Sequence, residues 1–163
     1  MKPVHLSITV ARPREEVFDY LADIANHPEF TDHYLVDWRL TREESHGLGA
    51  GARFRIDAPL NRFGWADVTL SEVESPSRIV MEGRTGKFNR IRTVTTYTLD
   101  PAADDQTEVD LEFETTPVFP SDRLMEAIGR PWFARKAKKG LRRLRSILEN
   151  DRDRGPRATI AGR

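Results

Sequence analysis

The chain has 163 residues, 26 of them basic and 26 acidic, so it carries no net charge with histidine neutral. That length fits one domain able to bury roughly 70% of its unfolded surface, and the balanced charge excludes an overall bias toward nucleic acid or membrane. There is no cysteine, which excludes disulfides, thiolate metal sites and a cysteine nucleophile.

The N-terminus, Met1-Lys2-Pro3-Val4-His5, has no continuous apolar run. No signal peptide, transmembrane span or integral membrane association is expected, and the expected location is cytoplasmic. Val4, Leu6, Ile8 and Val10 alternate with polar residues as a half-buried strand. Pro13 suits the first turn of a helix, and Glu15 and Glu16 suit its positive end. Val17, Leu21 and Ile24 recur at helical spacing, which predicts a helix from 13 to about 24. Asn26 is placed to cap a second, shorter helix with Pro28 in its first turn and Phe30 as its anchor.

From Tyr34 the period becomes two. Val36, Trp38 and Leu40 alternate with Asp37 and Arg39, then Phe54 and Ile56 with Arg53, Arg55 and Asp57. Between them, Gly47-Leu48-Gly49-Ala50-Gly51 superficially resembles a phosphate-binding loop. Such a loop must open a helix, whereas a strand follows here, so the run reads as a glycine turn with room for a bulge. Further strands follow at 65–73, 79–84, 89–99 and 109–114, separated by short turns at 59–64 and 75–77 and a polar loop at 100–106. Short connections imply antiparallel neighbours. An α+β fold with helices on one face of a seven-stranded antiparallel sheet is the physical solution.

The last helix is expected to start near Ser121 as its cap, with Asp122 in the first turn. Gly129 and Pro131 predict a kink or break. Phe133, Ala137, Gly140, Leu144 and Ile147 form an apolar stripe, and Arg135 through Arg145 a basic face. The small residues Ala134, Ala137 and Gly140 leave room beneath the helix, whereas Leu144 and Leu148 close its end. Residues 151–163 are expected to be a flexible tail beyond a single domain spanning 1–150.

Three motifs resemble the SRPBCC superfamily of START-like, helix-grip proteins, which includes lipid-transport and polyketide cyclase/dehydrase types. They are the strand-to-helix run Ile8 to Asp23, the stretch Asn26-His27-Pro28-Glu29-Phe30, and the turn Gly47-Leu48-Gly49. The resemblance implies a curved sheet wrapped around the long C-terminal helix, in the order β-α-α-β6-α. It also implies a cavity between them for a small apolar or aromatic ligand.

Which residues line that cavity follows from the alternation. The strands offer Trp38, Phe54, Ile56, Val68, Leu70 and Met81. Thr93, Thr95 and Tyr97 face inward if Leu99 does, the alternative being an outward, threonine-rich face, and Leu111 and Phe113 complete the wall. The helix offers Ile128, Trp132, Phe133 and Ala137. The expected volume is ~300–1,000 Å³. Binding or transport of a lipid- or polyketide-like molecule is the expected function. The alternative is a polyketide cyclase/dehydrase, or aromatase, with Tyr97, Thr95 and Arg92 as weak catalytic candidates. No cofactor is expected. His5, His27, His33 and His46 match no ligand spacing, so they read as surface histidines and no metal site is expected. The basic face of the last helix reads as solvated, with weak contact to anionic lipid or an acidic partner as its alternative and no nucleic-acid motif beside it.

Overall fold

A computed structural model describes residues 2–160. Strand β1 (Val4–Val10) is followed by α1 (Arg14–Leu21), which buries Val17, Phe18 and Leu21. Helix α1 ends short of the expected residue 24. The Asp23 carboxylate accepts the Ala25 N–H at 3.1 Å and opens a single 3₁₀ turn, Ile24–Asn26. Short acidic side chains compete with helix continuation in this way. Helix α2 (His27–Thr31) has Pro28 in its first turn and Phe30 buried. Asn26 precedes it without capping it; its amide instead donates to the Tyr20 carbonyl at 2.9 Å.

Strands β2 (Leu35–Leu40), β3 (Gly51–Ile56), β4 (Trp65–Glu74), β5 (Arg78–Thr85), β6 (Ile91–Pro101) and β7 (Thr107–Thr116) join β1 in one curved antiparallel sheet. Its order is β1-β7-β6-β5-β4-β3-β2, the seven-stranded helix-grip arrangement. Gly47 and Gly49 both take positive φ, as the β2–β3 turn requires. The bulge lies elsewhere, between Val36 and Arg39, where Asp37 has φ +56°. Leu35 pairs with Ile56 and Val36 with Arg55, so Leu35 faces inward with Trp38 and Leu40 while Val36 faces out.

Helix α3 (Pro120–Asn150) starts one residue before Ser121, which is not its cap. Asp122 reaches back instead, accepting the Phe119 N–H at 3.0 Å. The helix continues through Pro131 without a break. Pro131 removes the amide partner of the Ala127 carbonyl, and both residues are on the exposed side of the helix. The C-terminal half buries Ala137, Gly140, Leu141, Leu144 and Ile147 against the sheet and α2. A methyl on Gly140 would lie 3.2 Å from the Phe30 carbonyl. The small stripe therefore admits α2 rather than leaving room for a ligand, contrary to expectation.

The segment after Asn150 is not loose over its described part. The Gly155 N–H donates to the Glu29 carbonyl and the Ala158 N–H to the Ala25 carbonyl, and the Thr159 carbonyl accepts the N–H of Leu40 on edge strand β2. Arg154 pairs with Glu29 at 2.7 Å and Arg157 with Asp23 at 2.6 Å. The carboxylates that hold this strap are brought together by the fold, which composition alone cannot reveal. The end of the expected tail, residues 161–163, lies outside the described residues.

Candidate functional site

The N-terminal half of α3 roofs a cavity of about 280 Å³ over the open end of the sheet, just under the low end of the expected range. The sheet lays down rows of inward side chains. β3 contributes Phe54 and Ile56, β4 Ala66 and Val68, and β5 Met81. β6 contributes Thr93, Thr95 and Tyr97, and β7 Leu111 and Phe113. Trp38 stacks on Phe54 with centroids 4.4 Å apart, and Ile128, Trp132 and Phe133 come down from α3. Ile128 lies at the opening and is largely exposed.

Three expected residues stand elsewhere. Leu70 is fully buried in the packed half of the core, beyond the cavity. Ala137 is buried in the packed half of α3. Arg92 is on the outer face, half-exposed and paired with Glu82 at 3.0 Å, because alternation puts it opposite Thr93. Arg92 therefore cannot act on a molecule in the cavity.

The closed end is built by residues that sequence reasoning missed. Tyr34, from the turn after α2, packs edge-on against Trp132 and Phe133 at 6.2 and 5.9 Å. Phe133 in turn stacks on Phe113 at 4.2 Å. His27 is 1% exposed and lines the cavity, so its reading as a surface histidine is corrected. A signal was present: His27, Phe30 and Thr31 share one helical face through their i, i+3, i+4 spacing.

Electrostatics fix the protonation of this end. His27 Nε2 lies 2.8 Å from the Leu21 carbonyl oxygen, which can only accept, so Nε2 carries the hydrogen and Nδ1 is the acceptor. Burial pushes the His27 pKa down and keeps the ring neutral, against the opposing hydrogen bond. Burial likewise pushes the Tyr34 and Tyr97 hydroxyls far up, so both stay protonated donors. The hydroxyls of Tyr34, Tyr97, Thr93 and Thr95 make no hydrogen bond among the described residues. Thr31 and Thr85, by contrast, bond the carbonyls of His27 and Trp65. The cavity thus presents an aromatic and aliphatic wall with a small set of uncommitted polar groups, the make-up of a small-molecule site.

The family described as "Polyketide cyclase / dehydrase and lipid transport" matches residues 1–149. The chain belongs to that family. Among solved structures, the KanY protein superposes with a TM-score of 0.73 at 15% identity, over 91% of this chain and 97% of that one. Truncated norcoclaurine synthase from Thalictrum flavum gives 0.68 at 13% identity, over 91% and 94%. DynU16, from the dynemicin biosynthetic locus, gives 0.64 at 16% identity, with 95% of this chain covering 50% of that one. At these identities the likeness carries the fold alone. No curated protein matches the sequence.

Among the described residues, no group of three or more His, Cys, Asp or Glu is placed to hold a metal ion. None of their helices is long and apolar enough to cross a membrane. A second hollow of about 290 Å³ lies on the outer sheet face between His5, Ser7, Arg78, Thr96, Asp110 and Glu112. It is a solvent-facing furrow between polar side chains standing off the sheet.

Proposed function

We propose that this protein binds and carries a small apolar or aromatic molecule, lipid- or polyketide-like, in the cavity beneath the N-terminal half of α3. The observation that carries the reading is the contrast within the site: an apolar, ring-rich wall, and hydroxyls at Tyr34, Tyr97, Thr93 and Thr95 with no hydrogen-bond partner among the described residues. A ligand with one or two oxygens on a flat hydrocarbon frame satisfies both parts. The family description supports the class of ligand, and the composition supports a cytoplasmic site of action. Native mass spectrometry of protein purified from its own host tests this, with expected retention of a small molecule that Gly129→Phe protein does not retain. Equal retention by both proteins, or none by either, refutes it.

A second reading has its own support. Neutral His27 and protonated Tyr97 stand side by side on the cavity wall. They form an acceptor–donor pair suited to a keto substrate: His27 Nδ1 takes a proton from the carbon beside a carbonyl, and Tyr97 donates a hydrogen bond to the carbonyl oxygen. That is the chemistry a polyketide cyclase/dehydrase needs to begin ring closure. Norcoclaurine synthase and the dynemicin-locus protein show biosynthetic settings for this fold. Incubation with a poly-β-keto surrogate tests it: wild type gives cyclised product and Tyr97→Phe and His27→Gln do not. Product formation unaffected by both substitutions sinks this assignment.

A further inference from the structure

The cavity opens between three segments that share an unusual surface. The 57–64 loop puts Leu60 into solvent at 89% exposure, with Phe63 beside it. The 86–90 turn does the same with Phe88 at 85%. The approach to α3 exposes Val118 and Phe119, and its first turns Leu124, Met125 and Ile128. Eight of the ten exposed large hydrophobic side chains among the described residues therefore lie around one opening, and only Leu48 and Ile160 lie outside these segments. A patch so concentrated marks an interaction surface rather than ordinary scatter.

Contacts join the segments into a rim. The Lys87 ammonium lies 5.3 Å from the Phe88 ring and 6.0 Å from Phe63. The Arg90 guanidinium covers Phe119 at 4.7 Å while bonding Asp122. Arg130 reaches the Pro3 carbonyl at 2.7 Å.

The backbone adds a separate observation. Leu60 has φ +64° and Phe88 φ +59°. Bulky side chains rarely occupy this left-handed region. Both loops thus hold an unfavourable conformation that turns an apolar tip outward. Charge points the same way. Lys2 and Arg130 line the opening, and Arg62 and Lys87 stand on its two loops, Lys87 beside Phe63 and Phe88. Of the nearby carboxylates, Asp122 is paired with Arg90 and Asp57 with Arg55, so those charges cancel, and Glu126, which accepts the Thr115 hydroxyl, is the one that keeps its charge at the cavity lining among the described residues.

We infer that this rim docks the protein on an anionic lipid bilayer, seating the cavity mouth on the headgroup layer. Single apolar tips ringed by cations are what an interfacial membrane site needs: the tips enter the acyl boundary and the cations meet anionic headgroups. A ligand then moves between bilayer and cavity without crossing water. An acidic protein would use the cations, but would leave the protruding Leu60 and Phe88 tips without a matching layer to enter. The inference extends the carrier reading and is tested apart from it.

The test is flotation of the whole protein with vesicles of phosphatidylcholine, with and without phosphatidylserine. Wild type is expected to float with phosphatidylserine vesicles, and less so as salt rises. Leu60→Asn/Phe88→Asn is expected to lose about tenfold in binding through lost apolar insertion; asparagine tolerates positive φ, so both loops keep their shape. Lys138→Glu/Arg142→Glu, on the far half of α3, is expected to change binding by less than about twofold. Absence of wild-type flotation, undiminished flotation of the asparagine variant, or loss confined to the glutamate variant overturns the inference. Capture of an acidic protein by the same tips without vesicle binding overturns it too. Titration with anilinonaphthalene sulfonate in solution reads the cavity itself. Unchanged dye binding by the asparagine variant, beside lost flotation, supports a docking role separate from ligand binding.

Discussion

His27 and Tyr97 meet edge to face on the cavity wall, their ring centroids 5.9 Å apart and their planes at 88°. Each leaves a polar atom uncommitted, Nδ1 on the histidine and the hydroxyl on the tyrosine. Because the Tyr97 hydroxyl has no hydrogen-bond partner among the described residues, Tyr97→Phe should change folding stability by less than about 1 kcal/mol. Affinity for an oxygen-bearing aromatic should fall roughly two- to tenfold, one net hydrogen bond, while affinity for the matching hydrocarbon holds. Isothermal titration with such a pair of probes checks this; equal losses for both show that the hydroxyl acts only through packing.

Gly129 lines the cavity, and a Cβ built there meets no atom within 4 Å. Gly129→Leu should therefore fit without strain. It should stabilise the protein by about 0.5–1 kcal/mol, since glycine is a poor helix former, while filling space that a ligand needs. Urea denaturation should show a higher midpoint and dye titration a weaker affinity. A stability gain with unchanged dye affinity means that the dye sits elsewhere.

Acid should weaken the fold in two windows. Burial holds His27 and the partly buried His33 below the ordinary histidine value of 6.5. Below pH 6.5 the unfolded chain takes up protons that the folded chain does not, so stability falls as pH drops toward the folded values. Asp122 behaves as a paired carboxylate. The Arg90 hydrogen bonds hold it at about 2, so its contribution is present above its ordinary 3.8 and lost as pH falls from there toward 2. Thermal melts across pH 7 to 2 resolve the two windows. His27→Gln should flatten the upper one and leave the lower; an unaltered upper window would show that His27 does not carry it.

Arg154 pairs with Glu29, whose side chain is almost wholly buried and also lies 3.4 Å from the Tyr20 hydroxyl. Arg154→Ala should cost about 1–3 kcal/mol, because it strands a buried carboxylate. Adding Glu29→Gln to that variant should restore part of the loss, since a neutral amide is cheaper to bury alone. Chemical denaturation of the four proteins in a double-mutant cycle measures the coupling. Additive effects would mean that the strap's backbone bonds, not this pair, hold it down.

Much of the fold was legible because alternation is a local signal. Phe54, Ile56, Val68, Met81, Leu111 and Phe113 read as one inward face and line one wall. The long apolar stripe ending in Leu144 and Ile147 named the helix that the sheet grips. What escaped was set by contacts between distant segments. Gly140 and Ala137 read equally well as space for a ligand or for α2, and only the approach of Phe30 decides between them. His27 belongs to a helix of five residues, too short for periodicity to speak loudly. Arg154 and Arg157 look like tail charges until Glu29 and Asp23 are placed opposite them. Leu35 was hidden by the bulge at Asp37, which shifts the alternation by one residue.

The sheet begins with its first strand paired to its last: Ser7 of β1 bonds Glu108 of β7, 101 positions along the chain. During synthesis β1 has no partner until nearly the whole sheet has left the ribosome, and α3, which packs on it, emerges later still. Ring closure over so long a loop is a late and slow event. Nascent chains should therefore stay protease-sensitive until β7 and α3 are both out, with β2 through β6 free to form hairpins earlier. A protein laid out this way gains a mature cavity only at the end of its making, when the strand made first finds the strand made last.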